Sequence, residues 1–385
     1  MSSAPERVIL PGSTIGILGG GQLGRMMAMA ARAMGYRVQV LDPDPSCPAR
    51  FVVDACFEAG WDDARAAADM ARGCDVVTLE IEQVAIASLE AAQAYAPVRP
   101  GPAVLAIIQD KIAQKDWLRA HNVPIGEYRA ARSADELREA VRALGGKCFV
   151  KGARGGYDGR SQVKLGFDKP PEDADIEAAW KSLGGRPVIV ERAIELQQEI
   201  SVLVARSPRG EMKAFPPATN HHEQQILEWS VIPAEISPSM ESDAREIALR
   251  IAGEMNLEGL LAVEMFVTTD AELKVNELAP RPHNSYHASE RACDTSQFEQ
   301  AIRAVCNLPL GSVEVVQPAA IMNLLGDLWA EREPHFDAAL SVPGVRLHLY
   351  EKQRPRAGRK MGHLSSSGKT PQDAVGRVME AKELL

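Results

Sequence analysis

The sequence predicts an open α/β amino-terminal unit followed by a strand-rich α+β body and a small closing unit. Three observations predict it. Strand and helix signals alternate over the first hundred residues. The pattern becomes strand-rich further on. The segment Leu260–Leu278, LLAVEMFVTTDAELKVNEL, reads as a β-hairpin with a polar turn. At 385 residues the chain has room for two or three domains with sizeable cores.

In the first unit Thr14–Leu18 reads as a strand, Gln22–Met34 as a helix and Arg37–Asp42 as a second strand. A helix at Ala64–Arg72 and a strand at Asp75–Glu80 follow, giving a mostly parallel, Rossmann-like sheet. The opening MSSAPERVILPG lacks the basic start and apolar centre of a signal peptide and reads as a short mobile extension. The Pro-rich APVRPGPAV from Ala96 marks the end of the unit. Beyond it, Asp110–His121 is an amphipathic helix with Ile112, Trp117 and Leu118 apolar. Ser133 and Glu136 form a capping box for another helix, which Gly145 and Gly146 close. Strand KCFVK, glycine loop ARGGYDGRSQ, strand QVKL, helix Asp173–Leu183 and strand PVIVERAI come next. Then EISVLVA, the turn SPRG, EMKAF and ILEWSVIPA read as strands and turn, and helix Ser242–Met255 leads into the hairpin. The last stretch holds short strands such as GVRLHLYE and a final helix. The expected divisions are 1–108 (with 1–13 as the extension), 109–192, 193–308 and 309–385.

The composition, 45% hydrophobic and 25% charged, is that of a soluble globular protein, and no apolar run approaches the ~20 residues of a membrane span. The six cysteines are scattered without a CxxC pair, so neither a zinc site nor a disulfide framework is indicated. Free thiols in a reducing cytoplasm are expected. A net charge of −9 argues against nucleic-acid binding, while leaving room for local basic pockets.

The hairpin carries the chemistry. If Asp270-Ala271 is the turn centre, Thr269 pairs with Glu272 and Glu264 falls directly opposite Glu277. Directly opposed side chains have Cβ atoms roughly 5 Å apart, and two carboxylates there repel by about 3 kcal/mol at an effective dielectric near 20. An ordinary cross-strand pair returns only about 0.2–1 kcal/mol, so a cation is expected between them. A hard divalent ion with oxygen ligands, Mg²⁺ above all, fits. A register slip of one, or a neutralising Arg, are the alternatives. The cluster LAPRPHNS that follows, with Arg281, His283 and Asn284, favours an ion beside an anionic ligand.

Other motifs are less specific. Gly19, Gly21 and Gly24 form GxGxxG between strand and helix, with Asp42 ending the next strand. Alone this reads as a dinucleotide fingerprint, a single-phosphate site or a tight turn. The loop Gly155-Gly156-Tyr157-Asp158-Gly159-Arg160 follows a strand ending in Lys151; converging backbone N–H groups plus two cations suit a phosphate cover better than a plain hairpin. Lys352, Arg354, Arg356, Arg359 and Lys360 form a basic stretch that either meets a phosphorylated small molecule or is a solvated loop. His222, in NHHEQQ, either touches a ligand or caps a strand.

Taken in order, GGGQLGRM, Asp110-Lys111, VKGARGGYDGRSQ, VERAI with QEIS, NELAPRPHNS, CDTSQFEQ and LHLY with GRKMGH closely resemble the 5-(carboxyamino)imidazole ribonucleotide synthase family of ATP-grasp enzymes in purine biosynthesis. The resemblance runs from about Thr14 to the carboxyl terminus. It implies an ATP-grasp fold and a biotin-independent carboxylation. ATP phosphorylates bicarbonate to carboxyphosphate, and the exocyclic amine of 5-aminoimidazole ribonucleotide captures the carboxyl group, directly or as released CO₂.

The resemblance also implies roles. Lys111 and Lys151 would hold the α- and β-phosphates. Gly156, Tyr157, Asp158, Gly159, Arg160, Ser161 and Gln162 would form the lid. Glu191, Arg192, Ala193 and Ile194 would be the adenine linker, with Glu199 on the ribose and His222 and Asn276 beside the nucleotide. Glu264 and Glu277 would ligate Mg²⁺, two ions being expected and Mn²⁺ also suitable. Gln22, Leu23, Tyr157, Asp158, Arg281, His283, Asn284, Lys352 and Arg359 would surround the ribonucleotide. Arg281, Asp158 and Lys151 would be the catalytic group: Arg281 at bicarbonate or carboxyphosphate, Asp158 orienting the amine, Lys151 at the phosphates. A homodimer in the cytoplasm, acting on small molecules and on neither nucleic acid nor membrane, is expected.

Three departures from the family pattern stand out: Tyr286 in place of a usual Gly, expected to reshape the pocket rim; Ser161 in place of a lid Gly; and Ala357 in place of a Pro in a longer basic loop. The rivals are an NAD-dependent oxidoreductase built on the glycine fingerprint, another ATP-grasp ligase such as a formate-using ribonucleotide transformylase, and a nucleotide-binding protein without turnover.

Overall fold

The computed structural model describes residues 7–155 and 162–385. The amino-terminal sheet has four parallel strands in the order Ala55–Glu58, Arg37–Asp42, Thr14–Leu18, Val76–Leu79. The helix Gln22–Ala33 follows its central strand. Residues 7–13 are not a loose extension. Ile9 is buried, its N–H donates to the Cys306 carbonyl, and its own carbonyl accepts from the Tyr36 hydroxyl. An apolar residue two places before Pro11 anchors what its flanks make look like a tail.

A second, antiparallel sheet orders Tyr128–Ala131, Val188–Arg192, Cys148–Gly152 and Gln162–Leu165. Helix Ala134–Ala143 covers it, capped by Ser133 and closed by Gly145 and Gly146, both at positive φ. The third sheet has nine strands, running from Leu273–Ala279 and Gly259–Thr268 through Leu196–Arg206, Ala218–Glu223 and Ile226–Ile232 to Ala319–Leu325, Lys360–Ser367 and Arg346–Leu349. The carboxyl-terminal stretch therefore continues this sheet, since Ala319–Leu325 pairs with Ile226–Ile232. Several elements escaped the sequence reading, among them the helices Ile86–Gln93, Pro102–Ile108 and Gln297–Val305 and the strands Ala55–Glu58, Tyr128–Ala131 and Ala218–Glu223. Pro102, read as punctuation, occupies the first helical turn, where its missing N–H costs nothing.

The glutamate hairpin reaches the expected pairing by a different route. Its turn is a three-residue loop, with Thr268 N–H donating to the Glu272 carbonyl and Ala271 at φ 58°. That loop shifts the register by one from the two-residue reading. A β-bulge then gives the residue back: Met265 pairs with Val275 but Glu264 pairs with Glu277, leaving Asn276 as the extra residue. Without the bulge Glu277 would slip past Glu264.

Ala271 holds a left-handed backbone that costs an L-residue about 1–2 kcal/mol, an expense glycine avoids. Ala271→Gly should therefore raise stability to urea by roughly 0.5–1 kcal/mol. An unchanged or lower midpoint would contradict the strained turn.

Candidate active site

A cleft of about 910 Å³ opens between the second sheet and the nine-stranded sheet. Lys151 enters it from the strand Cys148–Gly152, and Lys111 and Lys115 from the first two turns of helix Lys111–Ala120, whose cap is Asp110. Glu264, Asn276 and Glu277 face them from the hairpin, and Arg281, His283 and Asn284 from the loop beyond it. Glu199 and His222 come from neighbouring strands, Leu196–Arg206 and Ala218–Glu223.

Each hairpin carboxylate has its own basic partner. Lys111 Nζ lies 2.6 Å from a Glu277 oxygen and His283 Nε2 lies 3.0 Å from a Glu264 oxygen. Burial alone would raise Glu264. The hydrogen bond from His283 and the charges of His283, His222 and Lys111 outweigh it and hold the carboxyl well below the usual range. The pair offers hard carboxylate oxygens side by side, which fits a divalent cation. The neutralising Arg considered as an alternative is, in this structure, a lysine and a histidine.

The Glu191 side chain has partners that its place in the expected linker does not announce. It lies between Lys115 (2.9 Å) and Lys151 (2.5 Å) at the cleft wall. Burial raises its carboxyl, but the two lysines overcome that and push it below the usual carboxylate range. Of the linker's main-chain donors, Arg192 N–H is given to Glu127 and Ala193 N–H to Lys147, so an adenine edge would have to meet the linker's other groups, those of Ile194 included. The Arg192 side chain pairs with Glu127 near the surface. Glu199 and His222 meet at 2.8 Å; burial lowers the histidine's pKa, and Glu199 reverses the sign so that it ends raised. Gln162 Nε2 donates to Gln225, bridging the second and third sheets.

Arg281 Nε lies 2.8 Å from Glu82. Both amide atoms of Asn284 are buried without a partner among the described residues, although the side chain lines the cleft. An unpartnered amide at such a place calls for a ligand. Gly156, Tyr157, Asp158, Gly159, Arg160 and Ser161, expected in the lid and around the substrate, lie outside the described residues.

The basic loop meets the glycine loop. Lys352 Nζ donates to Gln22 Oε1 (2.8 Å) and to the Lys360 carbonyl (2.6 Å), and Arg359 donates to the Arg354 carbonyl. Lys360 reaches the cleft; Lys352, Arg359, Gln22 and Leu23 lie outside its lining. Leu23 is buried in the core, which leaves only its main chain to face a ligand.

The dinucleotide reading fails on the same loop. Gly21 and Gly24 donate their N–H groups to the two oxygens of Glu80 (2.7 and 2.9 Å), and Gly20 donates to Asp42 (2.7 Å). The donors that a pyrophosphate would use are taken by the chain's own carboxylates. A Cβ on Gly21 would lie 2.5 Å from a Glu80 oxygen, so the glycines serve this internal clasp. Tyr286 is also not a rim residue. It is fully buried, and its hydroxyl lies within hydrogen-bond reach of the Ser201 and Pro216 carbonyls.

Several cleft residues were missed. Lys115 was legible as the i+4 neighbour of Lys111 on one helix face. Glu82 carried no local signal. Phe149 and Phe167, ring centroids 5.1 Å apart edge to face, line the cleft with Lys147 5.2 Å over the Phe167 ring. Phe149 lies in the strand KCFVK, where only Lys151 drew attention.

Two sheets clamping paired lysines above paired glutamates define an ATP-grasp site. The chain matches the family models for a ribonucleotide synthetase preATP-grasp domain over residues 12–109, an ATP-grasp domain over 116–298 and a phosphoribosylaminoimidazole carboxylase C-terminal domain over 319–377. It is 39% identical to the N5-carboxyaminoimidazole ribonucleotide synthase of Bacillus subtilis over 370 residues, covering 96% of this chain and 94% of that one. A solved structure of an N5-carboxyaminoimidazole ribonucleotide synthetase bound to ADP superposes with a TM-score of 0.90 at 40% identity, covering 98% of each chain. The synthase of Aspergillus clavatus, solved with ADP and 5-aminoimidazole ribonucleotide, superposes at 0.87 with 29% identity, covering 97% of this chain and 98% of that one. The chain belongs to the N5-carboxyaminoimidazole ribonucleotide synthase family, within the ATP-grasp ligases.

Burial raises Glu80 to about 7, against the hydrogen bonds from Gly24 and Gly21 that lower it. Because the folded value exceeds the unfolded one, Glu80's contribution to stability is complete below pH 4.5 and is lost as pH rises through about 7. The shift corresponds to roughly 3 kcal/mol. Urea midpoints of the native chain should therefore fall, relative to those of Glu80→Gln, as pH rises from 4.5 to 7. Parallel curves would show that Glu80 titrates normally.

Proposed function

We propose that the chain carboxylates 5-aminoimidazole ribonucleotide with bicarbonate at the expense of ATP, releasing ADP and phosphate. The observation that carries this reading is the opposition of Glu264 and Glu277 across a cleft from Lys111 and Lys151. The relative solved with ADP and 5-aminoimidazole ribonucleotide supports the substrate.

Phosphoryl transfer needs position and charge neutralisation more than covalent help. Lys111 and Lys151 meet the α- and β-phosphates, with Lys151 held in place by Glu191. Glu199, braced by His222, takes the ribose hydroxyls. The terminal phosphoryl group passes to a bicarbonate oxygen, giving carboxyphosphate and ADP. Arg281 holds that planar oxyanion, its guanidinium oriented by Glu82. The amine nitrogen of the ribonucleotide then bonds to the carboxyl carbon, directly or after release of CO₂, as phosphate leaves and the nitrogen loses a proton. Asn284 offers its amide to the substrate, His283 stands beside it, and Asp158 orients the amine. Gln22, the main chain at Leu23, Tyr157, Lys352 and Arg359 complete the ribonucleotide's surroundings. The loop from Gly156 to Gln162 shields carboxyphosphate from water.

Glu264 and Glu277, with Asn276 at the bulge, would hold Mg²⁺, or Mn²⁺ in the same oxygen set. When bound, such ions neutralise charge on the phosphate oxygens. The units 1–108, 109–192, 193–308 and 309–385 would bind ribonucleotide, cover ATP, support ATP and complete the substrate site. A cytoplasmic homodimer, without nucleic-acid or membrane partners, completes the reading; no helix among the described residues is long and apolar enough to cross a membrane.

ADP release should require both 5-aminoimidazole ribonucleotide and bicarbonate, and formate should not replace bicarbonate. Full release with either omitted would refute the assignment. Glu277→Gln should lower turnover by at least ~10²-fold with circular dichroism unchanged; retained turnover would remove Glu277 from the site.

A further inference from the structure

A second cluster of donor groups lies away from the cleft. His348 and His363 are directly opposed on the paired strands Arg346–Leu349 and Lys360–Ser367, their rings stacked at 5.0 Å. Glu290, on the short helix Ser289–Ala292, completes the group: one ligand atom from each of the three lies within 4.8 Å of the others. Neither Glu290 nor His348 has a side-chain hydrogen bond or ion pair among the described residues. Both border a cavity of about 420 Å³ that is also lined by Met26, Met29, Met34 and Phe298.

The imidazoles are prepared for an ion. Tyr350 Oη lies 2.8 Å from His363 Nδ1, which leaves Nε2 as the nitrogen open to a metal and fixes the ring from behind. Burial pushes both histidines below the ordinary value, with Arg25 adding to the effect at His348 and His348 at His363. They are neutral at pH 7 and keep their lone pairs. His287 stacks on the far side of His363 at 4.8 Å and restrains it further. Two imidazoles and one carboxylate suit a borderline transition ion such as Zn²⁺, with a further position open to water, rather than the hard Mg²⁺. Tetrahedral ligands about 2.0–2.1 Å from zinc lie closer together than these atoms do, so binding draws the exposed Glu290 inward; desolvation raises its carboxyl to about 7, and a bound cation favours its ionised form.

We propose that Glu290, His348 and His363 bind a divalent transition-metal ion of the zinc type, distinct from the ions expected at the nucleotide. Such an ion ties the base of the basic loop, carried between His348 and His363, to the segment that follows His283 and Asn284. Its role is structural: it fixes the two stretches that border the ribonucleotide.

The test uses the full chain, freed of metal with a chelator and then kept in excess Mg²⁺ and ADP so that the hairpin carboxylates are occupied. Co²⁺, a coloured stand-in for Zn²⁺, is titrated in. The native chain should bind one equivalent with intense visible absorption of low-coordinate, nitrogen-ligated cobalt, and Zn²⁺ should bleach it. Loss of an outer partner of a metal ligand costs about 10–100-fold in affinity, so loss of a ligand in Glu290→Gln or His348→Gln should weaken binding at least that much. Glu290 is exposed, so Glu290→Gln tests the site even where His348→Gln fails to fold. No cobalt spectrum in the native chain, or a folded variant of either kind that binds cobalt as the native chain does, overturns the proposal.

Discussion

Everything at the cleft depends on holding two carboxylates face to face across a pair of strands. Sheet geometry brings Glu264 and Glu277 together and electrostatics drives them apart. The structure resolves the conflict with Lys111 and His283, each taking one carboxylate. These basic groups come from different elements, a helix in one case and the loop after the hairpin in the other. The acidic pair therefore ties the helix Lys111–Ala120 and the loop beyond the hairpin to the nine-stranded sheet. A ligand that brings its own charge balance has to rearrange those contacts, and such a site is poised to respond to nucleotide.

The same economy appears elsewhere. Glu191 sits between Lys115 and Lys151, and Glu82 beside Arg281, so several cations expected at phosphate or bicarbonate already have a carboxylate partner. A buried cation without a partner would lose its charge or destabilise the fold. Carboxylate partners keep the cations charged and aimed before substrate arrives, which is the preorganisation that electrostatic catalysis requires. The glycine loop shows the converse: Glu80 and Asp42 take its N–H groups, and an apparent phosphate fingerprint becomes an internal clasp.

Much of this was legible in the sequence. The strands Thr14–Leu18 and Arg37–Asp42 and the helix from Gln22 follow from local pattern alone. The acidic pair was legible too, although through a two-residue turn that the chain does not make. Two deviations, the longer loop at Ala271 and the bulge at Asn276, cancel in register. What the sequence hid was tertiary. Glu82 meets Arg281 across 199 positions, and Ile9 is held by the Cys306 carbonyl and the Tyr36 hydroxyl. Tyr286 was expected at the pocket rim because it stands where the family pattern has a Gly. In the fold it packs on Phe215, edge to face at 5.7 Å, and its hydroxyl meets the carbonyls of Ser201 and Pro216, both far away in sequence. Glu191 read as a linker residue because nothing local announces two lysines waiting on either side of it.

The most direct test of the account is a crystal structure with Mn²⁺ and a non-hydrolysable ATP analogue, read by anomalous scattering. The account predicts a manganese peak shared by Glu264 and Glu277, with Lys111 turned from Glu277 toward the phosphates. Nucleotide in the cleft with both lysine and histidine contacts intact, and manganese elsewhere, would contradict it.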